Sequence, residues 1–173
     1  FDSLFDRHLI SFEDEGNIHT LAKRGSGQFI GWASFLRAES CEWVCASEEC
    51  LVLALPSSGF IKSIQKYPEF ESWFSRLPNI QENLAVANSL AEIMPQKFSQ
   101  WKEKILEKIE NCFVVSLRPG ETFIPPDLDN GYTITWHLSS SGIPNFPVGS
   151  LIRPGQDLPE AKGFKLKYRV IGF

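Results

Sequence analysis

The stretch Gly27–Pro56, GQFIGWASFLRAESCEWVCASEECLVLALP, decides the expected fold. Its second half contains two short runs, CEWVCA and CLVLALP, whose Val, Leu, Trp and Cys content is typical of β-strands. The polar SEE between them is a turn signal, and the PSSG that begins at Pro56 ends the second run. These features predict two adjacent strands that follow a glycine-rich connection.

The sequence before this stretch is also predicted to be β-structure. HLISFEDEGNIHTLAKRG contains two runs of alternating apolar and polar residues on either side of Asp14–Asn17. Glycine and asparagine between two such runs are typical of a hairpin turn.

The middle of the chain is predicted to be helical. Ser57 or Ser58 is a suitable N-cap for a first helix, and Pro68 interrupts it before a short second helix. In NIQENLAVANSLAEI the apolar residues recur at the spacing of one helix face, and Pro95 can open a further helix. The apolar stripe of that last helix consists of Phe98, Trp101, Ile105 and Ile109.

From Cys112 onward the chain is again predicted to be β-structure, because short alternating runs are separated by Gly/Pro turns. In the tail GFKLKYRVIGF, the alternation places Lys165, Lys167 and Arg169 on one side, where we expect a solvated face. The predicted fold class is therefore mainly β with helices, in β-α-β order.

The Gly27–Pro56 stretch resembles the back half of a cyclic-nucleotide-binding domain, a β jelly roll of the cAMP receptor protein type. GQ matches the turn, FIG the approach, ASFL the short helix, and WVCA and LVLALP the two following strands. VVSLRPGETF and the residues after it resemble the opening strands of the same fold. We call Gly27–Pro56 the cassette.

The resemblance divides the chain into three parts. Residues 1–77 resemble the back half of a jelly roll with its following helices, residues 78–111 form a helical connector, and residues 112–173 resemble a front half. The two β portions either belong to two truncated tandem domains or close one roll. Such a roll would form within one chain or in a homodimer by exchange of β portions.

The resemblance implies a phosphate-binding cassette whose key side chains are changed here. In the family, amides at the start of the short helix and an Arg bind the cyclic phosphate, and a Glu accepts from the ribose. Trp32 occupies the Glu position, and the Arg position falls at Ser40 or Cys41, so Arg37 is the nearest cation. The candidate ligand-binding residues are Gly31, Trp32, Ala33, Ser34, Arg37, Ser40 and Cys41.

Trp32 has two interpretations. It is either a hydrophobic plug in a pocket that has lost its ligand, or a stacking platform for a different ligand. Because a buried phosphate without its countercharge loses a hundredfold or more in affinity, we expect nucleotide binding to be lost.

The expected function is that of a non-catalytic regulatory or interaction module. The resemblance implies a part of a larger protein such as a bacterial, peptide-exporting ATP-driven transporter, and Phe1 in place of an initiator Met also indicates a longer chain. The partner would be another protein or other domains of that parent. The alternative is a sensor that binds a cyclic nucleotide or dinucleotide through Arg37, the amides near Ala33 and Ser34, and Trp32.

Composition excludes several other classes. The net charge of −4 provides no basic field for nucleic acid, and no apolar run approaches the ~18 residues of a membrane span. Cys41, Cys45, Cys50 and Cys112 are expected to be free, buried thiols of a cytoplasmic protein. The three histidines are scattered, so we expect no metal site, no cofactor and no enzyme.

Overall fold

The computed structural model describes residues 8–14, 17–93, 112–128, 133–160 and 166–173. These residues form a mixed α/β fold with four helices and two antiparallel sheets. Their order along the chain is β-α-β, which confirms that part of the prediction, but the fold is mixed α/β rather than mainly β. The helix expected after Pro95, with its apolar stripe, lies outside the described residues, as does Lys165.

The described elements have the following bounds. The helices are α1 (Trp32–Arg37), α2 (Ser57–Lys66), α3 (Pro68–Arg76) and α4 (Ile80–Ile93). The strands are β1 (His8–Asp14), β2 (Asn17–Arg24), β3 (Trp43–Ala46), β4 (Phe113–Leu117), β5 (Trp136–Leu138), β6 (Leu151–Ile152) and β7 (Tyr168–Gly172).

The first sheet has the strand order β2-β1-β3. β1 and β2 form the predicted hairpin, with Asp14 opposite Asn17 at its closed end. β3 pairs with the other edge of β1 and confirms the first strand of the cassette. The second predicted strand is wrong, because residues 51–55 have no regular secondary structure and Leu51 and Leu53 are exposed. A strand needs a partner for its backbone groups, and strand-forming composition alone does not supply one.

Helices α2 and α3 begin and end at the residues predicted to bound them, apart from one cap. α2 begins at Ser57 with Pro56 as its N-cap residue and no side-chain cap, so the predicted serine cap is wrong. Tyr67 is extended between α2 and α3, and Pro68 occupies the first turn of α3. A proline lacks the N–H that a helix interior needs but fits a first turn, so the helix breaks where predicted.

The second sheet has the order β4-β7-β5-β6, with all pairs antiparallel. One core lies against it and contains Leu117, Phe123, Trp136, Leu138, Ile143, Ile152, Leu158, Tyr168 and Val170. Gly172 at the end of β7 makes room for the Trp136 ring, because a Cβ there would lie 2.8 Å from a ring carbon.

Both faces of β7 are covered, and all five of its residues are buried. Tyr168 and Val170 belong to the core on one face, whereas Ile171 packs with Val86 and Leu90 of α4. The expected solvated face is therefore wrong at Arg169, which is buried. Strand alternation predicts which residues share a face, but not that helices cover that face.

A separate aromatic cluster joins the cassette helix to α2 and α3. Its buried residues are Trp32, Ala33, Leu36, Phe60, Ile64 and Phe74. Phe74 is completely buried, and the rings of Trp32, Phe60 and Trp73 lie around it with centroids 4.6–5.4 Å away. This cluster fixes the position of α1 relative to the helices.

Candidate functional site: the cassette helix and the joint behind it

The cassette residues form the predicted short helix. Gly31 precedes α1 with φ +79°, in the left-handed region that glycine occupies without strain, and Ala38 ends the helix in the same region. The Ser34 hydroxyl then accepts a hydrogen bond of 3.1 Å from the backbone N–H of Cys41. The segment after α1 is thereby held against the helix.

Trp32 is directed into the protein and is only 7% exposed. Its ring lies 5.4 Å from the Phe74 ring, and the Arg169 guanidinium carbon lies 5.5 Å from its centre. Both distances are those of favourable aromatic and cation–π contacts. The ring thus makes contacts inside the protein at the position where a ligand would have to stack.

The other candidate residues do not share one accessible surface. Ala33 and Arg37 are completely buried, whereas Gly31 and Ser40 are exposed. Ser34 and Cys41 are half-buried and within hydrogen-bond distance of each other. Ser40, one of the two candidates for the position of the family's Arg, is therefore exposed, whereas the Arg37 side chain is directed inward.

Arg37 reaches from α1 to the C-terminal sheet. Its Nε donates to the carbonyl oxygen of Ser139 at 3.1 Å, and its own carbonyl oxygen accepts from Ser141 N–H at 2.8 Å. Both terminal guanidinium nitrogens are buried without a hydrogen bond, and the Glu39 carboxylate lies 3.9 Å from Nη2. The cation that could have bound a phosphate is enclosed by protein.

Behind the cassette, Arg169 of β7 and Glu82 of α4 form a buried ion pair. Two parallel hydrogen bonds of 2.8 Å join Nε to Oε1 and Nη2 to Oε2. The two side chains are 1% and 0% exposed. This bidentate geometry is the strongest form of Arg–carboxylate contact, and it fixes the orientation of both groups.

The remaining hydrogen bonds of this pair extend to neighbouring elements. Arg169 also donates to the carbonyl oxygens of Phe74 and Leu77, each at 3.0 Å. The Ser139 hydroxyl donates to Glu82 Oε1 at 2.7 Å. We call Arg37, Glu82, Ser139 and Arg169 the joint. It connects α1, α3 and α4 to the second sheet, and most of its polar groups are satisfied.

Two contacts nearer the surface reinforce the joint. The Ser116 hydroxyl of β4 donates to the carbonyl oxygen of Ser75 at 3.0 Å. Lys167 and Glu71 form an ion pair of 2.8 Å, in which both side chains are about a third exposed. They connect the second sheet to α3.

A second polar group lies between the cassette and α4. The Asn79 side-chain oxygen caps α4 by accepting from the N–H groups of Gln81 and Glu82, and its nitrogen donates to Glu42 at 3.1 Å. Burial raises the pKa of the Glu42 carboxyl and of the Cys41 thiol. Burial outweighs the lowering effects of the Ser34 hydrogen bond and the Arg37 charge, and a thiol with a raised pKa is a poor nucleophile.

A cavity of about 300 Å³ lies between the helices and the second sheet. Leu36, Ile64 and Phe74 contribute apolar walls, and Arg118 and Lys167 contribute positive charge. The cavity is at the lower end of the size range of small-molecule sites. The Glu71 carboxylate also lines the cavity and is paired with Lys167, so Arg118 is the lining cation left to meet a small anion with an apolar body.

The described residues contain no group of three or more His, Cys, Asp or Glu side chains that could hold a metal ion. All four cysteines are free of disulfides, but the prediction that they are buried is wrong for Cys45 and Cys50, which are exposed. Both lie in or after β3, which is exposed along its whole length. In the part of the chain that the structure describes, no helix combines the length and apolar character needed to cross a bilayer.

No local pattern in the sequence indicates the joint. Glu82 stands in the first turn of an amphipathic helix, where a carboxylate ordinarily faces solvent and the helix dipole. The predicted alternation places Arg169 on one face with Lys167, whose side chain is about a third exposed. The two are 87 positions apart, so only the packing of α4 on β7 brings them together.

No family model, curated protein or solved structure matches this chain.

Proposed function

We propose that this chain is a non-catalytic regulatory or interaction module, a cyclic-nucleotide-binding-like jelly roll that has lost nucleotide binding. The observation that carries the proposal is that Trp32 and Arg37 are both directed inward. We propose further that it belongs to a larger, cytoplasmic-facing protein of the kind represented by bacterial peptide-exporting ATP-driven transporters.

Loss of nucleotide binding follows from volume and charge. Trp32 fills space beside Phe74 that a sugar would need, and Arg37 is held by Ser139. Turning Arg37 toward a ligand would break its bond to Ser139 and move a buried charge. One phosphate contact contributes only a few kcal/mol of binding energy, which does not recover that cost. α1 has six residues, so its own dipole adds little.

The proposed mechanism is mechanical coupling through the joint. Arg169 binds Glu82 of α4 and two carbonyl groups at the end of α3, and Arg37 links α1 to the same sheet. A partner that displaces any one of these helices must therefore disturb the second sheet. Because packed interfaces switch between discrete arrangements, such a contact can pass a binding event from one β portion to the other.

The experiment is a thermal-shift titration of the purified chain with cyclic AMP, cyclic GMP and cyclic di-GMP. A ligand at a hundredfold over its Kd stabilises the folded state by about 2.7 kcal/mol, which raises Tm measurably. We expect no dose-dependent rise with any of the three. A rise that is lost in Arg37→Met but kept in Arg153→Met, an exposed arginine of the β6 turn, would overturn the proposal.

A second candidate function is a sensor for a small anionic ligand, and the cavity between the helices and the second sheet favours it. Arg118 would bind the anion, and Leu36, Ile64 and Phe74 would contact its apolar part. Including octanoate in the same titration, with octanol as the uncharged control, tests this candidate. Stabilisation by octanoate alone, lost in Arg118→Ala, would support it.

A further inference from the structure

The chain contains an apolar segment that the described structure leaves uncovered. Residues 51–55, LVLAL, have no regular secondary structure, and Leu51 and Leu53 are 99% and 96% exposed. Val52 and Leu55 are about half-exposed, at 56% and 53%. We call these five residues the apolar segment.

The composition of the apolar segment is that of a buried strand, but the segment is exposed to solvent. A run of Leu and Val with apolar residues at consecutive positions is typical of a strand that is buried on both faces. Trp43 and Val44 of the neighbouring strand β3 are exposed as well, at 68% and 40%. Soluble proteins rarely leave such a patch open, and an unpaired apolar strand readily pairs with another chain.

We propose that the apolar segment pairs with the same segment of a second copy of this chain, in an antiparallel arrangement about a two-fold axis at Leu53. In this register Leu51 lies opposite Leu55 of the second copy, and Val52 lies opposite Ala54. Each strand then supplies the backbone partner that the other lacks, and the leucines of the two copies pack side by side.

Charge complementarity at the ends of the segment supports a second copy. The register places Glu49 beside Ser57 of the second copy, at the start of its helix α2. That ten-residue helix has no acidic residue in its first turn and no side-chain cap. A carboxylate is favourable there because the helix N-terminus carries partial positive charge and free N–H groups.

The ends of the segment also limit the pairing to its own length. Pro56 lacks an N–H and cannot continue the ladder, so it is suited to the end of a strand pair. Leu55 already packs over Gly59 of α2, where its Cδ1 lies 3.2 Å from the position of a Cβ. A pair of five-residue strands is a small interface, so we expect a weak dimer with a micromolar Kd.

The dimer does not depend on whether the cassette binds a nucleotide, so this proposal and the proposed function can fail separately. Analytical ultracentrifugation of the chain over about 5–500 micromolar spans the expected Kd. We expect a monomer–dimer equilibrium in the wild type. Leu53→Lys places two like charges together at the axis and should weaken dimerisation at least tenfold.

The matched control is Ile124→Lys, which introduces the same charge at another exposed apolar residue, 74% exposed. It should leave the equilibrium unchanged. A wild-type chain that stays monomeric at all concentrations would overturn the proposal and leave the apolar segment to a different partner. A dimer that persists in Leu53→Lys would place the interface elsewhere.

Cross-linking tests the register even if a charge variant folds poorly. In a Cys45→Ser/Cys50→Ser background, Leu53→Cys faces its own copy across the axis, at a spacing that a disulfide can bridge. Leu51→Cys lies four residues from its own copy, or about 13 Å, and should not cross-link. Oxidation should therefore give a covalent dimer with Leu53→Cys only, and a dimer with Leu51→Cys only would contradict the register.

Discussion

Arg37 and Ser139, 102 positions apart in the sequence, are joined by a buried hydrogen bond of 3.1 Å from the guanidinium Nε to the carbonyl oxygen. The only arginine of the cassette is therefore a structural connection to the second sheet. The same interior contains Arg169, whose guanidinium has a bidentate carboxylate partner and two backbone carbonyls. The two arginines are equally buried but differ in how fully they are paired.

Because of that difference, replacing the two arginines by methionine should lower the unfolding free energy by different amounts. Arg169→Met leaves Glu82 charged and unpaired in the interior, and should cost about 3–5 kcal/mol of unfolding free energy. Arg37→Met removes a guanidinium whose terminal nitrogens already lack hydrogen bonds and breaks one hydrogen bond to Ser139, so its cost should be smaller, about 1–2 kcal/mol. Urea unfolding followed by circular dichroism measures both.

Arg153→Met is the control for these variants, because Arg153 is exposed and its side chain has no partner among the described residues. It should change the unfolding free energy by no more than about 0.5 kcal/mol. Equal losses of unfolding free energy for Arg37→Met and Arg169→Met would show that the Arg37 guanidinium is as fully hydrogen-bonded as that of Arg169, and would contradict this prediction.

Trp32 should contribute much more to stability than an exposed tryptophan of the cassette. Trp32→Ala empties a site packed against Phe74 and beneath Arg169, and should cost about 3–5 kcal/mol. Trp43→Ala, at a position that is 68% exposed, should cost less than about 1 kcal/mol when measured at low protein concentration. If the two losses in urea unfolding are similar, Trp32 does not pack as described.

His137 should make stability depend on pH. Its Nδ1–H donates to the carbonyl oxygen of Gly149 at 3.0 Å, and burial lowers the pKa of the ring below its ordinary value of 6.5. The unfolded chain then binds more protons than the folded one as pH falls below 6.5, so stability is complete above that value and is lost on acidification.

The measurement is Tm between pH 8 and pH 5 for the wild type and for His137→Asn, whose amide can donate to Gly149 but does not titrate. The wild type should lose more Tm than the variant between pH 6.5 and pH 5. Parallel curves for the two proteins would show that His137 titrates normally.

The cysteines should fall into two classes of reactivity. Cys45 and Cys50 are exposed, whereas Cys41 is half-buried and Cys112 buried, with burial raising the pKa of both latter thiols. Because the thiolate is the reactive form, a disulfide reagent should modify two thiols quickly in dilute native protein and all four in urea. Cys45→Ser/Cys50→Ser should lack the fast phase, and a fast phase in that variant would contradict the described burial.

Local sequence signals predicted much of the fold. The Asp14–Asn17 turn, the break at Pro68 and the apolar spacing of α4 are each decided by nearby residues, and the structure has these elements. The cassette helix also lies where the resemblance placed it. The jelly roll itself stays a prediction, because the described strands form two separate small sheets.

The predictions that were wrong depend on contacts that no local sequence pattern encodes. LVLAL has strand composition, but a strand forms only where a partner is available. The alternation of the tail grouped Arg169 with Lys167, and only the packing of α3 and α4 buries one and leaves the other about a third exposed. Arg37 is the nearest cation in the cassette and is therefore predicted as a ligand contact, because its actual bond to Ser139 spans 102 positions and leaves no local signal.

The measurement that tests the account most directly is a double-mutant cycle on the joint. Urea unfolding of Arg169→Met, Glu82→Leu and the double variant gives the coupling energy between the two positions. In the control cycle, Glu82→Leu is replaced by Glu92→Leu, because Glu92 is exposed and lies near the end of α4. We predict that the double variant is more stable than the sum of the single losses implies, by about 2–3 kcal/mol, and that the control cycle is additive. Additive losses for Arg169 and Glu82 would mean that the ion pair does not hold the helices to the second sheet, and the proposed coupling through the joint would be wrong.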